Sequence, residues 1–434
     1  MNRHLWTAAG LGVLLLAGCG LSGGGARQPS EPAGNSLTVW FPGTNKTEID
    51  LVTGTIVPKF EKETGTKVSV TFLDWHDLST KLNAAFAAGT APDVFGHGPA
   101  AVADFVANDR LEPLTPYVGK LSQQDRDDLA NALPGGRVGG TQYLIPLSMQ
   151  GNLIAYRPGD FTKAGLDPDK PPATWEAVSE AAKKLTKRDG GKVTHAGLLL
   201  PSQPIGRQQT FAGLLGSAGG DQLSADGKQV TFDSPAGVKA LEYFIAAYQG
   251  PEAVANQLGA SYVDLPVAQQ PLVTGDASMT VLAPQTIQQI VRAKPELDIR
   301  VMPVPKFEGA ERGIALGGAG PGLMINKDSA QKELAWKFIS YMISKGTSVE
   351  YTEGIGAIPA RVSAIESDYV KNSPVVQAFL QQAGNFRPNP NVRGWTQIRD
   401  VMGKHLERAL NKKVGAEEAL RQAAAEVDTI LKNG

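Results

Sequence analysis

The sequence predicts an α/β fold organised around a parallel sheet, and three observations predict it. From residue 37 onward, short β-rich runs alternate with amphipathic helical segments. The 49 glycines and 29 prolines in 434 residues supply the turns that many short elements need. The single cysteine, Cys19, precedes all of these elements. The body therefore has no disulfide and no thiolate metal site, and its core alone must stabilise it.

The N-terminus reads as an export signal. Arg3 gives it a positive start, Leu11 to Leu16 an apolar stretch, and Leu16-Ala17-Gly18-Cys19 a small-residue end. The stretch is too short to cross a bilayer as a permanent helix. Gly20 to Ser36 is Gly, Ser and Pro with scattered polar residues, a solvated tether that buries no core.

The body opens with Leu37-Thr38-Val39-Trp40-Phe41, a strand ended by Pro42-Gly43. The spacing of Ile49, Val52, Ile56, Val57 and Phe60 predicts a helix over 48–64 with one buried face, stopped by Gly65. Lys67 to Phe72 alternates as a second strand. Leu78, Leu82, Ala85 and Phe86 then mark a helix over 77–88, ended by Gly89. Pro92-Asp93-Val94-Phe95 is the third strand. This order implies parallel strands with crossover helices, and such sheets bind ligands outside the carboxyl ends of their strands. Those ends are Trp40-Phe41, Asp74-Trp75-His76 and Gly96-His97-Gly98.

Farther on, Gln142 to Leu147 and Leu153 to Tyr156 are extended runs joined by the polar patch Ser148 to Asn152. That pattern suits a strand leaving one lobe and entering another. Thr174 is placed to cap a helix over 175–188. Amphipathic helices are expected over 235–248 and 327–344, and a long helical region over 397–432, broken near Gly415. The segment around Gln203 and Gln208 reads as an irregular polar loop.

Composition excludes several functions. The 42 Lys+Arg against 43 Asp+Glu give no long-range attraction for nucleic acid. No run after the signal reaches membrane-span length. The chain has no Gly-x-Ser-x-Gly elbow, and Ala319 stands where a dinucleotide fingerprint needs its middle glycine. His76, His97, His195 and His405 are dispersed, so no metal and no cofactor is predicted. A glycosidase built on distant carboxylates would leave no such motif.

A family resemblance appears at this point. Ala164-Gly165-Leu166-Asp167-Pro168 running into Pro171-Pro172-Ala173-Thr174-Trp175 resembles a stretch of bacterial ABC-importer solute-binding proteins. So do Gly89-Thr90-Ala91-Pro92-Asp93-Val94, Gly275 to Met279, Gly317 to Gly320, Ala335 to Phe338 and Gly356 to Arg361, in family order. The resemblance implies two α/β lobes of the periplasmic-binding-protein fold (type II), with a ligand cleft between lobes joined by hinge segments. It implies a first lobe of 37–147 and 298–345 and a second of 148–297 and 346–434. The lobes follow a signal peptide over 1–18 and a tether over 19–36. Leu16 to Cys19 resembles a lipobox, which implies that Cys19 becomes a lipidated N-terminus anchoring the protein outside the cytoplasm, on the bacterial cell membrane. The implied partners are the solute and the permease subunits, and the protein is expected to be a monomer and not an enzyme. The branch it resembles carries sugars, oligosaccharides and glycerol phosphates.

A sugar offers an apolar C–H face to aromatic rings and a rim of hydroxyls to amides and carboxylates. Trp40 and Trp75, at strand ends, either meet ligand or pack under a loop. Trp395 lies in the polar run Asn391 to Thr396 and is expected at the cleft, whereas Trp175 and Trp336 read as core. Asp74 and His97 follow strands at the cleft edge. Ser148 and Gln150 sit at the first crossing, and Gln285 and Thr286 follow the strand Met279 to Leu282. Gly317 and Gly318 offer backbone donors, or simply make a tight turn. Arg399, in Gln397-Ile398-Arg399, resembles the arginine that holds phosphate in members binding glycerol 3-phosphate or glycerophosphodiesters. Ala357, Ala283 and Pro284 depart from that pattern. The expected solute is therefore a mono- to oligosaccharide, with a glycerophosphate as the alternative.

Overall fold

A computed structural model describes residues 34–433, so Cys19, the signal and most of the tether lie outside the described residues. Strand Ser36–Pro42 pairs in parallel with Lys67–Leu73 on one side and Val94–His97 on the other. Two further strands complete this five-stranded sheet from later in the chain. Gly322–Ile325 runs antiparallel to Val94–His97, and Ile145–Pro146 lies beyond it, also antiparallel. The parallel reading thus holds for every strand but one: Gly322–Ile325 runs against the first three, and Ile145–Pro146, antiparallel to it, again runs their way.

The predicted faces account for the packing of this sheet. Leu37, Val39 and Phe41 alternate into a core with Val52, Ile56 and Phe60. The opposite face buries Phe95 and Met324 against Leu78, Leu82 and Phe86. Helices on both faces leave the strand ends as the open edge.

Local chemistry moves several boundaries. The first helix starts at Lys46 because Asn45 caps it, its side chain accepting from the Thr47 N–H at 2.9 Å. Asp74 caps helix Trp75–Ala88 through the His76 N–H at 2.8 Å, two residues earlier than the apolar spacing suggests. Gly65 and Gly89 close these helices in the left-handed conformation. The expected helix over 327–344 is Lys332–Met342, because Asn326 Oδ1 accepts from the Asp328 N–H and holds a turn first. A separate helix, Lys345–Ile355, follows it.

A second core forms around Leu153–Tyr156, which pairs antiparallel with Met279–Leu282 and Arg300–Val301. Helices Trp175–Leu185, Pro204–Ser217, Pro235–Tyr248, Trp395–Leu410 and Ala416–Asn433 pack against it. Pro204–Ser217 corrects the expected loop. Gln203 precedes its first residue, Gln208 lies inside it, and Phe211, Leu214 and Leu215 are its buried face. Glycines disguise the pattern. A Cβ at Gly216 would stand 2.6 Å from Ile314, so the helix needs the missing side chain to approach.

Between the two cores, Ser148–Gly151 pairs with Ile358–Pro359 and with Ala315–Ala319, and the latter with Phe386–Arg387. Ile299, Met302 and Phe307 pack with the second sheet and its helices. Tyr351, Ile355 and Ala357 pack with the core of the first strand.

Candidate functional site

The carboxyl ends of the first two strands open onto a cavity of about 480 Å³. One wall runs from Phe41 to Asn45 and includes Glu48, Asp74, Trp75 and His76. Gln285, Thr286 and Gln289 face it from helix Pro284–Ala293, with Val263 and Leu265 beside them. Leu147 and Ser148, and Pro321 and Gly322, border it from the two crossings.

Trp75 is placed by the Asp74 cap at the first position of its helix, with 39% of its surface exposed. Its ring meets the His97 ring edge-on at 5.9 Å between centroids. His97 is buried, and its Nδ1 accepts the Gly98 N–H at 2.9 Å, so Nε2 carries the proton and donates to Ser79 Oγ at 3.1 Å. Burial lowers its pKa to about 4, and the Arg399 charge acts in the same direction. His97 is a neutral imidazole that braces Trp75.

Three residues at the cavity, Glu48, Tyr351 and Gln289, were not singled out in the sequence. Tyr351 donates its hydroxyl proton to Glu48 Oε1 at 2.5 Å. Burial pushes the Glu48 carboxyl up to about 7, the Tyr351 hydrogen bond opposing part of the rise. Gln289 lies one turn beyond Gln285 on the same helix face. Gln285 Oε1 and Gln289 Nε2 are buried without a protein partner. Leaving such atoms unpaired is costly, and both residues line the cavity. The sequence signal for Glu48 was Asn45, a cap that places an acid in the first turn. Gln289 is visible only as the residue four beyond Gln285.

The remaining candidates disperse. Trp40 is half-buried and packs against the Phe95 core. Gln150, Gly317 and Gly318 lie in one ladder, Gly318 opposite Gln150 and Gly317 opposite Gly151. A Cβ at Gly317 would stand 2.6 Å from the Phe386 ring, so this glycine makes room for packing. Trp395 is not in a loop. It starts helix Trp395–Leu410 and is 3% exposed in the second core, because the indole buries more apolar surface there than a loop would allow. Arg399 pairs with Asp400, Nη2 to Oδ1 at 2.9 Å, and is not among the residues lining the cavity. Among the cavity-lining residues are two carboxylates, Glu48 and Asp74, and no Lys or Arg.

Among the described residues no cluster of three or more His, Cys, Asp or Glu could hold a metal ion, and no helix is long and apolar enough to cross a membrane. A polar cavity at strand ends, bordered by two chain crossings, defines a binder of small solutes of the periplasmic-binding-protein fold. The profile of the bacterial extracellular solute-binding protein family matches residues 45–348, and the chain belongs to that family, which binds solutes and does not catalyse. It is 23% identical to the sn-glycerol-3-phosphate-binding periplasmic protein UgpB of Escherichia coli K12, over 80% of this chain and 82% of that one. Maltose-bound MalE3 of T. maritima superposes with a TM-score of 0.76 at 25% identity, covering 91% of this chain and 99% of that one. An ABC transporter solute-binding protein of Thermotoga lettingae, bound with α-D-tagatose, gives 0.79 at 24% identity, covering 91% and 99%.

Proposed function

We propose that this protein is the solute-binding component of an ABC importer and that its solute is a carbohydrate, from mono- to oligosaccharide. The observation that carries the reading is the cavity itself: an exposed indole, unpartnered amides and two carboxylates, with no cation among its lining residues. Hydroxyl groups both donate and accept, so one neutral polyol satisfies Gln285, Gln289 and Asp74 while its C–H face covers Trp75. A phosphate there would face the Asp74 carboxylate and the Glu48 carboxyl without a guanidinium. The solved neighbour bound with maltose supports the same class.

The two hydrophobic cores support a division into two lobes with the solute between them. Core packing supports crossings near residues 147–153, 319–322 and 357–360 as part of this reading. The Cys19 lipid anchor belongs to the proposal too. It holds a carrier near its permease, and a Cys19→Ser variant is expected in the soluble fraction.

One observation favours glycerol 3-phosphate instead: the likeness to UgpB, with Arg399 close enough to depress the His97 pKa. A thermal-shift panel on purified residues 20–434 separates the readings. A ligand at 100 times its Kd stabilises by about 2.7 kcal/mol. A response to maltose, maltotriose or tagatose is expected. A response to glycerol 3-phosphate or glycerophosphocholine alone would overturn the carbohydrate reading.

A further inference from the structure

The loop from Arg387 to Gly394 ties the two cores together away from the cavity. Its base is fixed to the second core. Arg387 donates to the Gly220 carbonyl at 3.1 Å, and Asn389 Oδ1 accepts from Gln208 at 3.0 Å and Gln222 at 3.2 Å. Val392 packs against that core. The tip of the loop reaches the first core. Asn391 Oδ1 accepts the Ala103 N–H at 2.9 Å, and its Nδ2 donates to the Arg137 carbonyl at 3.1 Å. The Asp104 carboxylate accepts the Gly394 N–H. Ala103 and Asp104 lie on Val102–Ala107, whose Val102 and Phe105 are buried with Phe95. Gly394 has φ +77°, a conformation that lets the chain turn from the tip into helix Trp395–Leu410.

Neither Asn391 nor Asp104 lines the cavity described above; Asp104 and Gly394 border a separate polar cleft of about 460 Å³. We propose that Asn391 and Asp104 are positioning residues for solute capture, a clasp that favours the closed arrangement of the lobes without touching the solute. Partly exposed hydrogen bonds suit this task. Each has a small net worth because water replaces it when the lobes part, so the clasp biases closure without locking it. A solute held between closed lobes has its affinity scaled by the fraction of protein that closes unaided. The clasp sets that fraction for any solute. The inference rests on the two-lobe closure proposed above but not on the solute being a sugar.

The test needs no solute. Spin labels at Ala84→Cys and Ala425→Cys, exposed positions on helices of the two cores, report the distance between them in a Cys19→Ser background. The expected result is a longer, broader distance distribution in Asn391→Ala/Asp104→Ala. Loss of three hydrogen bonds should move the closed-to-open ratio by roughly ten- to a hundred-fold. Asp104→Asn keeps an acceptor oxygen and should keep the wild-type distance. The melting temperature, followed in parallel, separates opening from unfolding, and Asn391→Ala alone serves if the double variant does not fold. An unchanged distance distribution in a folded variant lacking the clasp would overturn the proposal.

Discussion

Replacing Glu48 by Gln tests the electrostatics of the cavity wall. The carboxyl is half-buried beside Tyr351, and burial raises its pKa from 4.5 to about 7. One pKa unit is worth 1.36 kcal/mol, so the full displacement corresponds to about 3 kcal/mol, reduced to roughly 2 by the solvent that reaches the cavity. The sign follows from proton counts. Between pH 4.5 and about 7 the folded protein holds the Glu48 proton while the unfolded chain has released it. The Glu48 contribution to stability is therefore fully present below pH 4.5 and is lost as pH rises through about 7. The amide of Glu48→Gln cannot ionise and imitates the protonated acid. Urea unfolding of wild type and Glu48→Gln from pH 4.5 to 8.5 should give similar free energies at the acid end. At pH 8.5 the variant should be more stable by about 2 kcal/mol. The difference between the two proteins cancels every other titrating group. A constant difference across the range, or a variant less stable at pH 8.5, would refute the reasoning.

Three further substitutions probe local packing. Arg361 is 4% exposed and its Nη1 pairs with Asp125 and Asp128, each at 2.8 Å, while its Nε donates to the Ile343 carbonyl at 2.6 Å. Arg361→Ala strands the buried Asp128 carboxylate and should cost about 3–5 kcal/mol in denaturant unfolding; a loss below about 1 kcal/mol would mean the pair contributes little. Gly317→Ala sets a methyl group against Phe386 and the Gln150 carbonyl, at 2.6 and 2.7 Å, and should cost about 1–3 kcal/mol. Gly346→Ala, in a helix with nothing within 4 Å, should be neutral or slightly stabilising in the same denaturant unfolding.

Local patterns in the sequence reach far into this fold. The alternation of Leu37, Val39 and Phe41 and the spacing of Val52, Ile56 and Phe60 placed two faces of the first core correctly. The period of a strand or helix is a property of neighbouring residues and needs no partner to be read. The same logic put Asp74 and Trp75 at a strand end, which is a local feature, but not the cap by which Asp74 starts the helix at Trp75. It failed at Pro204–Ser217, where three glycines replace the apolar residues a helix would otherwise show and a partner supplies the contact instead. It also failed at Trp395, whose polar neighbours hide the fact that its indole faces a core assembled from distant segments.

The sequence by itself determined the α/β order, the strand ends that open on a site, and the family likeness. Each depends on residues adjacent in the chain, or on motifs in a fixed order. Only the tertiary structure decided which groups share the cavity. Glu48 and Tyr351 are 303 residues apart, and Gln285 and Gln289 enter from the other wall. It likewise decided that Gly317 serves Phe386 and that Asn391 reaches Ala103 across 288 residues. Side-chain pairing over such separations is fixed by how two cores meet, and no local period or propensity carries that information.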